Sequence, residues 1–146
     1  ALRDPARSEF TQTICAESLR WMNDGTAADI AAERLRNDPP HELAAALLRL
    51  LRRVGQPTHA PLVRMYCTHD IFFVRIHAAG ALGRIGGETD VPLLNTLVLD
   101  DPSWWVALNA AKSLNELGAY TLLRSLCTSD HERSTLAQSV LSKRLQ

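Results

Sequence analysis

Asp70-Ile-Phe-Phe-Val-Arg-Ile-His-Ala-Ala-Gly-Ala-Leu-Gly-Arg-Ile-Gly86 carries a pattern that the neighbouring sequence repeats on both sides. Counting back from Gly86, apolar residues stand one, four, seven, eight and twelve places before it: Ile85, Leu82, Ala79, Ala78 and Val74. Offsets of 1, 4, 8 and 12 fall on one face of a helix. Gly55 and Gly118 lie 31 and 32 residues from Gly86 and close blocks of the same kind. Val54, Leu51, Leu48, Leu47 and Leu43 precede the first; Leu117, Leu114, Ala111, Ala110 and Val106 precede the second. Three equivalent amphipathic helices at a fixed period are the mark of stacked repeats.

Each glycine stands where a helix end favours a left-handed residue. Asp38, Asp70 and Asp101 stand ahead of the helices as expected N-caps, with Pro39 and Pro102 in the first turn. Shorter helices are expected over 59–67, 90–99 and 119–127, with Pro61 and Pro92 in their first turns and Leu62-Val63, Leu93-Leu94 and Leu122-Leu123 as buried pairs. The frame extends to a first-type helix over 26–36, capped by Thr26, and to second-type helices over 8–23 and 131–145. The last is polar outside Leu136, Val140, Leu141 and Leu145, which suits a terminal capping repeat. One domain, 1–146, is therefore expected. It holds an unpaired helix of a truncated repeat in 1–25 and repeats at 26–55, 56–86, 87–118 and 119–146. The fold class is all-α: a right-handed α-solenoid of about four and a half antiparallel helix pairs.

Composition agrees. The chain of 146 residues is 46% hydrophobic and 22% charged, values at which one domain buries a core. No apolar run approaches the ~20 residues that cross a bilayer, and no signal peptide is visible. A cytoplasmic protein is expected, and Ala1 in place of Met points to an upstream segment, an anchor or a further domain. Cys15, Cys67 and Cys127 lack framework spacing and read as free thiols. Net charge is zero but uneven. Residues 41–84 carry six Arg against Glu42 and Asp70, a balance of +4, whereas 85–132 carry Lys112 and Arg124 against seven acids, −5. That polarity fits a protein partner better than a long nucleic-acid duplex.

The 70–86 block resembles the short bacterial HEAT repeat of the phycobilisome-lyase type, whose pattern is an Asp, a Val-Arg pair, an Ala-Ala, an Ala-Leu-Gly and a closing Gly. Val74-Arg75, Ala78-Ala79, Ala81-Leu82-Gly83 and Gly86 match it. The next repeat has Ala107 where Arg would stand, and the preceding one has Leu43-Ala44. The resemblance covers residues 26–146 and implies a superhelix whose second helices line the concave face. It says little about function, because fold does not fix function.

Cys67-Thr68-His69-Asp70 and Cys127-Thr128-Ser129-Asp130-His131 look like metal ligands, but both cysteines occupy the column of Val98, the last apolar position of the shorter helix. They read as core thiols. His41-Glu42 and His131-Glu132 invite comparison with deoxyhypusine hydroxylases, HEAT-like di-iron enzymes. In that family the His-Glu pair follows the Val-Arg position, whereas here the pairs precede the apolar pattern and Val74-Arg75 is followed by Ile76-His77, with no Glu. No metal, cofactor or catalytic residue is expected, and no nucleophile elbow or phosphate loop occurs. Arg75 is expected to bond loop carbonyls or Asp residues between repeats.

The functional candidate is a surface. Thirteen places before the glycines lie Glu42, Phe73 and Trp105, and ten before lie Ala45, Ile76 and Leu108. Six before lie Arg49, Gly80 and Lys112; three before lie Arg52, Gly83 and Asn115. Phe73, Ile76, Trp105 and Leu108 would form one wall, flanked by Arg49, Arg52 and Lys112, with a shallow trough at Gly80 and Gly83. Phe72 and Trp104 would pack against the loops. Aromatic residues beside Arg are common hot-spot chemistry, so the expected function is a non-catalytic scaffold or adaptor holding a protein segment. An accessory or lyase-type subunit of an enzyme is the alternative. A nucleic-acid module built on Arg49, Arg52, Arg53, Arg64, Arg75 and Arg84 is the remoter one, opposed by the acids between Glu88 and Asp101.

Overall fold

The computed structural model describes residues 25–144; the helix expected over 8–23 lies outside them. Within the described residues the chain forms eight α-helices and no strand. They are α1 (Gly25–Leu35), α2 (His41–Val54), α3 (Ala60–Tyr66), α4 (Phe72–Ile85), α5 (Val91–Asp100), α6 (Trp104–Glu116), α7 (Tyr120–Cys127) and α8 (Ser134–Arg144). Short 3-10 turns, Pro57–His59 and Glu88–Asp90, lead into α3 and α5. α1 packs on α2, α3 on α4, α5 on α6 and α7 on α8, while α2, α4, α6 and α8 pack in succession on one another. This is an α-solenoid of helix pairs.

The apolar columns read from the sequence meet in one core. Leu43, Leu47, Leu51, Val74, Ala78, Leu82, Val106, Ala110 and Leu114 are all buried within it. Fully burying a Leu contributes about 1.5–3 kcal/mol, and such burial is shared across the contacts between pairs. The small residues of α4 set the approach. A Cβ at Gly83 would lie 2.5 Å from Ser113 Oγ and 2.8 Å from Ser113 Cα, so α6 seats on the bare backbone of α4. The Ser113 hydroxyl meanwhile donates to the Ala79 carbonyl at 2.6 Å.

The helix starts differ from expectation. α2, α4 and α6 begin after Pro40, Ile71 and Ser103, none of which makes a side-chain cap bond, so Asp38, Asp70 and Asp101 are not N-caps. The Asp101 carboxylate instead accepts the Ser103 N–H at 2.9 Å. His69 Nδ1 accepts the Ile71 N–H at 3.0 Å, and His131 Nδ1 accepts the Arg133 N–H at 3.1 Å. The recurring loop acceptor thus alternates between Asp and His, and Asp70 and Asp130 lie one place out of its column.

The glycines differ among themselves. Gly118 has φ +80 and closes a Schellman motif, its N–H on the Asn115 carbonyl at 3.1 Å and the Ala119 N–H on the Leu114 carbonyl at 2.9 Å. Gly55 and Gly86 are not left-handed, with φ −67 and −82. They are needed for space, since a Cβ there would run into the carbonyl oxygens of Leu51 and Leu82.

Polar ties join successive pairs along the loops. Tyr66 donates its hydroxyl to the Leu35 carbonyl at 2.5 Å. His59 Nδ1 accepts the Gln56 N–H at 2.9 Å, which leaves Nε2 to donate to Asp29 at 3.1 Å. One repeat later Asp90 stands in the place of His59: it accepts the Gly87 N–H at 3.0 Å and meets Arg64 Nε at 2.6 Å. The polarity of this contact is reversed, and the partner lies about one helical turn further along the preceding helix. The bond to Asp90 pushes the Arg64 pKa up.

Candidate functional site

The row formed by α2, α4, α6 and α8 exposes the residues picked out by the repeat, but it does not treat them alike. Trp105 is 60% exposed at the start of α6, whereas Phe73 is only partly exposed and packs against the core. The Phe73 ring meets His41 edge-on at 5.6 Å and Phe72 at 5.9 Å, so it does not stack with Trp105. Phe72 and Trp104, expected to pack against loops, remain about half exposed, at 48% and 45%. The Arg133 guanidinium lies over Trp104 at 5.3 Å. The aromatic side chains left exposed on α4 and α6 are therefore Phe72, Trp104 and Trp105, with Phe72 in place of the Phe73 of the expected wall.

The trough expected at Gly80 and Gly83 is not open. Arg52 lies against Gly80, where an added Cβ would come within 3.1 Å of its Nη1, and its Nη2 reaches Glu116 at 3.4 Å. One side chain of α2 thus crosses α4 to α6. Gly83 is covered by Ser113. Arg49 donates from Nη1 to His77 Nε2 at 3.2 Å, also between neighbouring helices. Ile76 and Leu108 are partly buried against the core.

Open space lies one step further along the row. A groove of about 300 Å³ runs between α6 and α8, with Leu108 and Val140 as apolar lining and Lys112, Asn115, Lys143 and Arg144 around it. Leu108 and Lys112 were expected on this face; Val140 and Lys143 were not. The polarity of α8 suits the outer skin of a capping repeat, yet its Lys143 belongs to the groove. Glu116 at its edge is engaged by Arg52, and Arg144 stacks on Tyr120 with its guanidinium carbon 3.6 Å from the ring centroid. The Oδ1 of Asn115 is buried without a hydrogen-bond partner among the described residues.

A second depression, about 380 Å³, lies among the loops beside Cys67, His69, Asp70, Arg75 and Asp101. Its polar groups serve structural bonds. Arg75 Nε and Nη2 meet Asp101 Oδ2 and Oδ1 at 2.9 and 3.1 Å, and Nη1 donates to the His69 and Asp70 carbonyls at 2.8 and 3.1 Å. This is the role expected of Arg75. Cys67 is fully buried and burial pushes its thiol pKa up to about 12, so it lies in the core as its column implied. Cys127 packs at the edge of that core. His41 Nε2 lies 2.8 Å from Glu42 Oε1 on the surface. Among the described residues, no three His, Cys, Asp or Glu side chains gather as a metal group.

The profile described as HEAT repeats matches residues 28–115, more than half of the chain. No curated protein gives a significant match.

Proposed function

Because the chain belongs to the HEAT-repeat family, whose repeats generally mediate protein–protein interaction, we propose that it is a non-catalytic scaffold that holds a segment of a partner protein against the row α2–α4–α6–α8, the concave side of the stack. One observation carries this reading: Trp105 stands 60% exposed on the same helix whose later turns, Leu108 and Lys112, line the groove against α8. A tryptophan left in water loses the burial that a large ring normally gains, about 150–250 Å². Aromatic anchors beside a pocket with cations at its rim supply most of the energy of many interfaces. Phe72 and Trp104 extend the apolar surface. No helix among the described residues is long and apolar enough to cross a membrane, and the reading places the chain in the cytoplasm.

Photo-crosslinking tests it. A benzophenone amino acid replaces Trp105 in one variant and the exposed Thr121 on α7 in another, and both are expressed in the native host. The reading expects a protein adduct of defined mass from position 105 and none from 121. No adduct at 105, or the same adduct at both positions, overturns it.

A further inference from the structure

We infer that the α6–α8 groove takes an acidic segment of a partner protein: one large apolar side chain seated on Leu108 and Val140, flanked by carboxylates that meet Lys112 and Lys143. This rests on the scaffold reading and names the chemistry of its ligand. The charge of the groove is the argument. Lys112 and Lys143 line it and neither has an acidic side chain within 4.0 Å among the described residues. Its one carboxylate, Glu116, is already held by Arg52, and Arg144 is fixed over Tyr120. The groove therefore presents uncompensated positive charge around an apolar floor.

Size and polarity narrow the occupant. A volume near 300 Å³ is at the small end for ligand sites and suits one bulky side chain with its flanking backbone. Leu108 and Val140 would gain nothing from a phosphate chain, and the acids between Glu88 and Asp101 repel an extended polyanion. A peptide supplies what nucleic acid lacks here: an apolar side chain for the floor formed by Leu108 and Val140. Opposite charges around the seat steer encounter and select the partner.

The test uses the whole chain and a displayed library of random seven-residue peptides. Selection enriches segments in which Asp or Glu flank a Leu, Phe or Trp. Binding of the best of them weakens as salt rises from 50 to 500 mM and falls at least about tenfold in Lys112→Glu/Lys143→Glu. Replacing the peptide's acids by Lys restores binding to that double variant and abolishes it for the unaltered chain. Enrichment of neutral or basic segments, no enrichment at all, or equal binding by the double variant overturns the proposal. So does a 20-base-pair DNA duplex that binds with the same dependence on Lys112 and Lys143. If these fail while the adduct at position 105 persists, the scaffold reading stands and only the groove assignment falls.

Discussion

Arg75 and Asp101 face each other across two repeats as a two-pronged ion pair, Nε to Oδ2 at 2.9 Å and Nη2 to Oδ1 at 3.1 Å. Asp101 also takes the Ser103 N–H, and its own carbonyl accepts from Arg133 Nη2 at 2.8 Å. Three successive pairs are thus tied through the loop that holds Asp101. The side chains of Arg75 and Asp101 are 12% and 4% exposed, so water cannot replace a lost partner.

Removing one side of this pair is expected to be costly. Arg75→Ala leaves the Asp101 carboxylate buried without its cation and strips two loop carbonyls of their donor, a loss on the order of 3–5 kcal/mol. Arg75→Lys recovers little, since an ammonium cannot match the fork of the carboxylate. By contrast Arg52→Ala, which breaks the exposed contact with Glu116, changes stability by at most about 1 kcal/mol. Urea unfolding of the three variants checks the order.

Gly80 and Gly83 stand one turn apart on α4, yet their alanine variants separate. A methyl at Gly80 meets only the tip of Arg52, at 3.1 Å, and that flexible end can shift. The helix then gains about 0.8–1 kcal/mol of propensity, so Gly80→Ala is neutral or stabilising. A methyl at Gly83 meets Ser113 Oγ at 2.5 Å and its Cα at 2.8 Å. α6 must move away from α4, and the overpacking costs about 1–3 kcal/mol against that same gain. Gly83→Ala is net destabilising in thermal unfolding.

These cases mark where the sequence was legible. The period of 31 and 32 residues, the Ala pairs and the apolar columns gave the repeat and its core, because burial of small and branched residues at helical spacing leaves a pattern in one dimension. Helix starts were legible only in part. Asp101 and His69 both present a ring or carboxylate acceptor to the N–H two residues on, and a search for Asp alone passes over the histidine. The open part of the face was hidden for another reason. Whether a surface position is free depends on which long side chain lies across it, and Arg52 reaches Glu116 over 64 residues of sequence, where no periodicity points. Glycine at 80 suggested a hollow; the arginine fills it. Lys143 on a polar helix looked like solvent-facing charge until α6 supplied the opposite wall of the groove.

The buried thiol of Cys67 makes stability fall in alkali. Burial, the largest cause, raises its pKa from 9.0 in the unfolded chain to about 12 in the folded one. Below pH 9 both states keep the proton and stability is unaffected. Between these values the unfolded chain has released a proton that the folded chain retains, so folding stability falls as pH rises, by about 1.4 kcal/mol per unit. Tyr66, raised by burial from 10.0, acts in the same direction at higher pH. Cys67→Ala is expected to flatten the decline in urea-unfolding stability between pH 8.5 and 10.5, whatever fixed cost the substitution adds. Equal slopes in the two proteins would contradict a thiol shielded in this way.

Phe73 and Trp105 occupy the same repeat position, thirteen before their glycines, but their surroundings assign them different work. Phe73 lies against the core between His41 and Phe72, so Phe73→Ala removes packing and costs about 2 kcal/mol. Trp105, 60% exposed and without a ring contact among the described residues, contributes little to folding, and Trp105→Ala stays within about 0.5 kcal/mol of the parent. Partner capture should respond in the opposite order. Trp105→Ala abolishes retention of the protein crosslinked at position 105, with helical circular dichroism unchanged, while Phe73→Ala retains it in proportion to the folded fraction. A Trp105→Ala chain that unfolds would make the ring a packing element. A Trp105→Ala chain that folds and still holds the partner would move the anchor of the interface to Phe72 or Trp104.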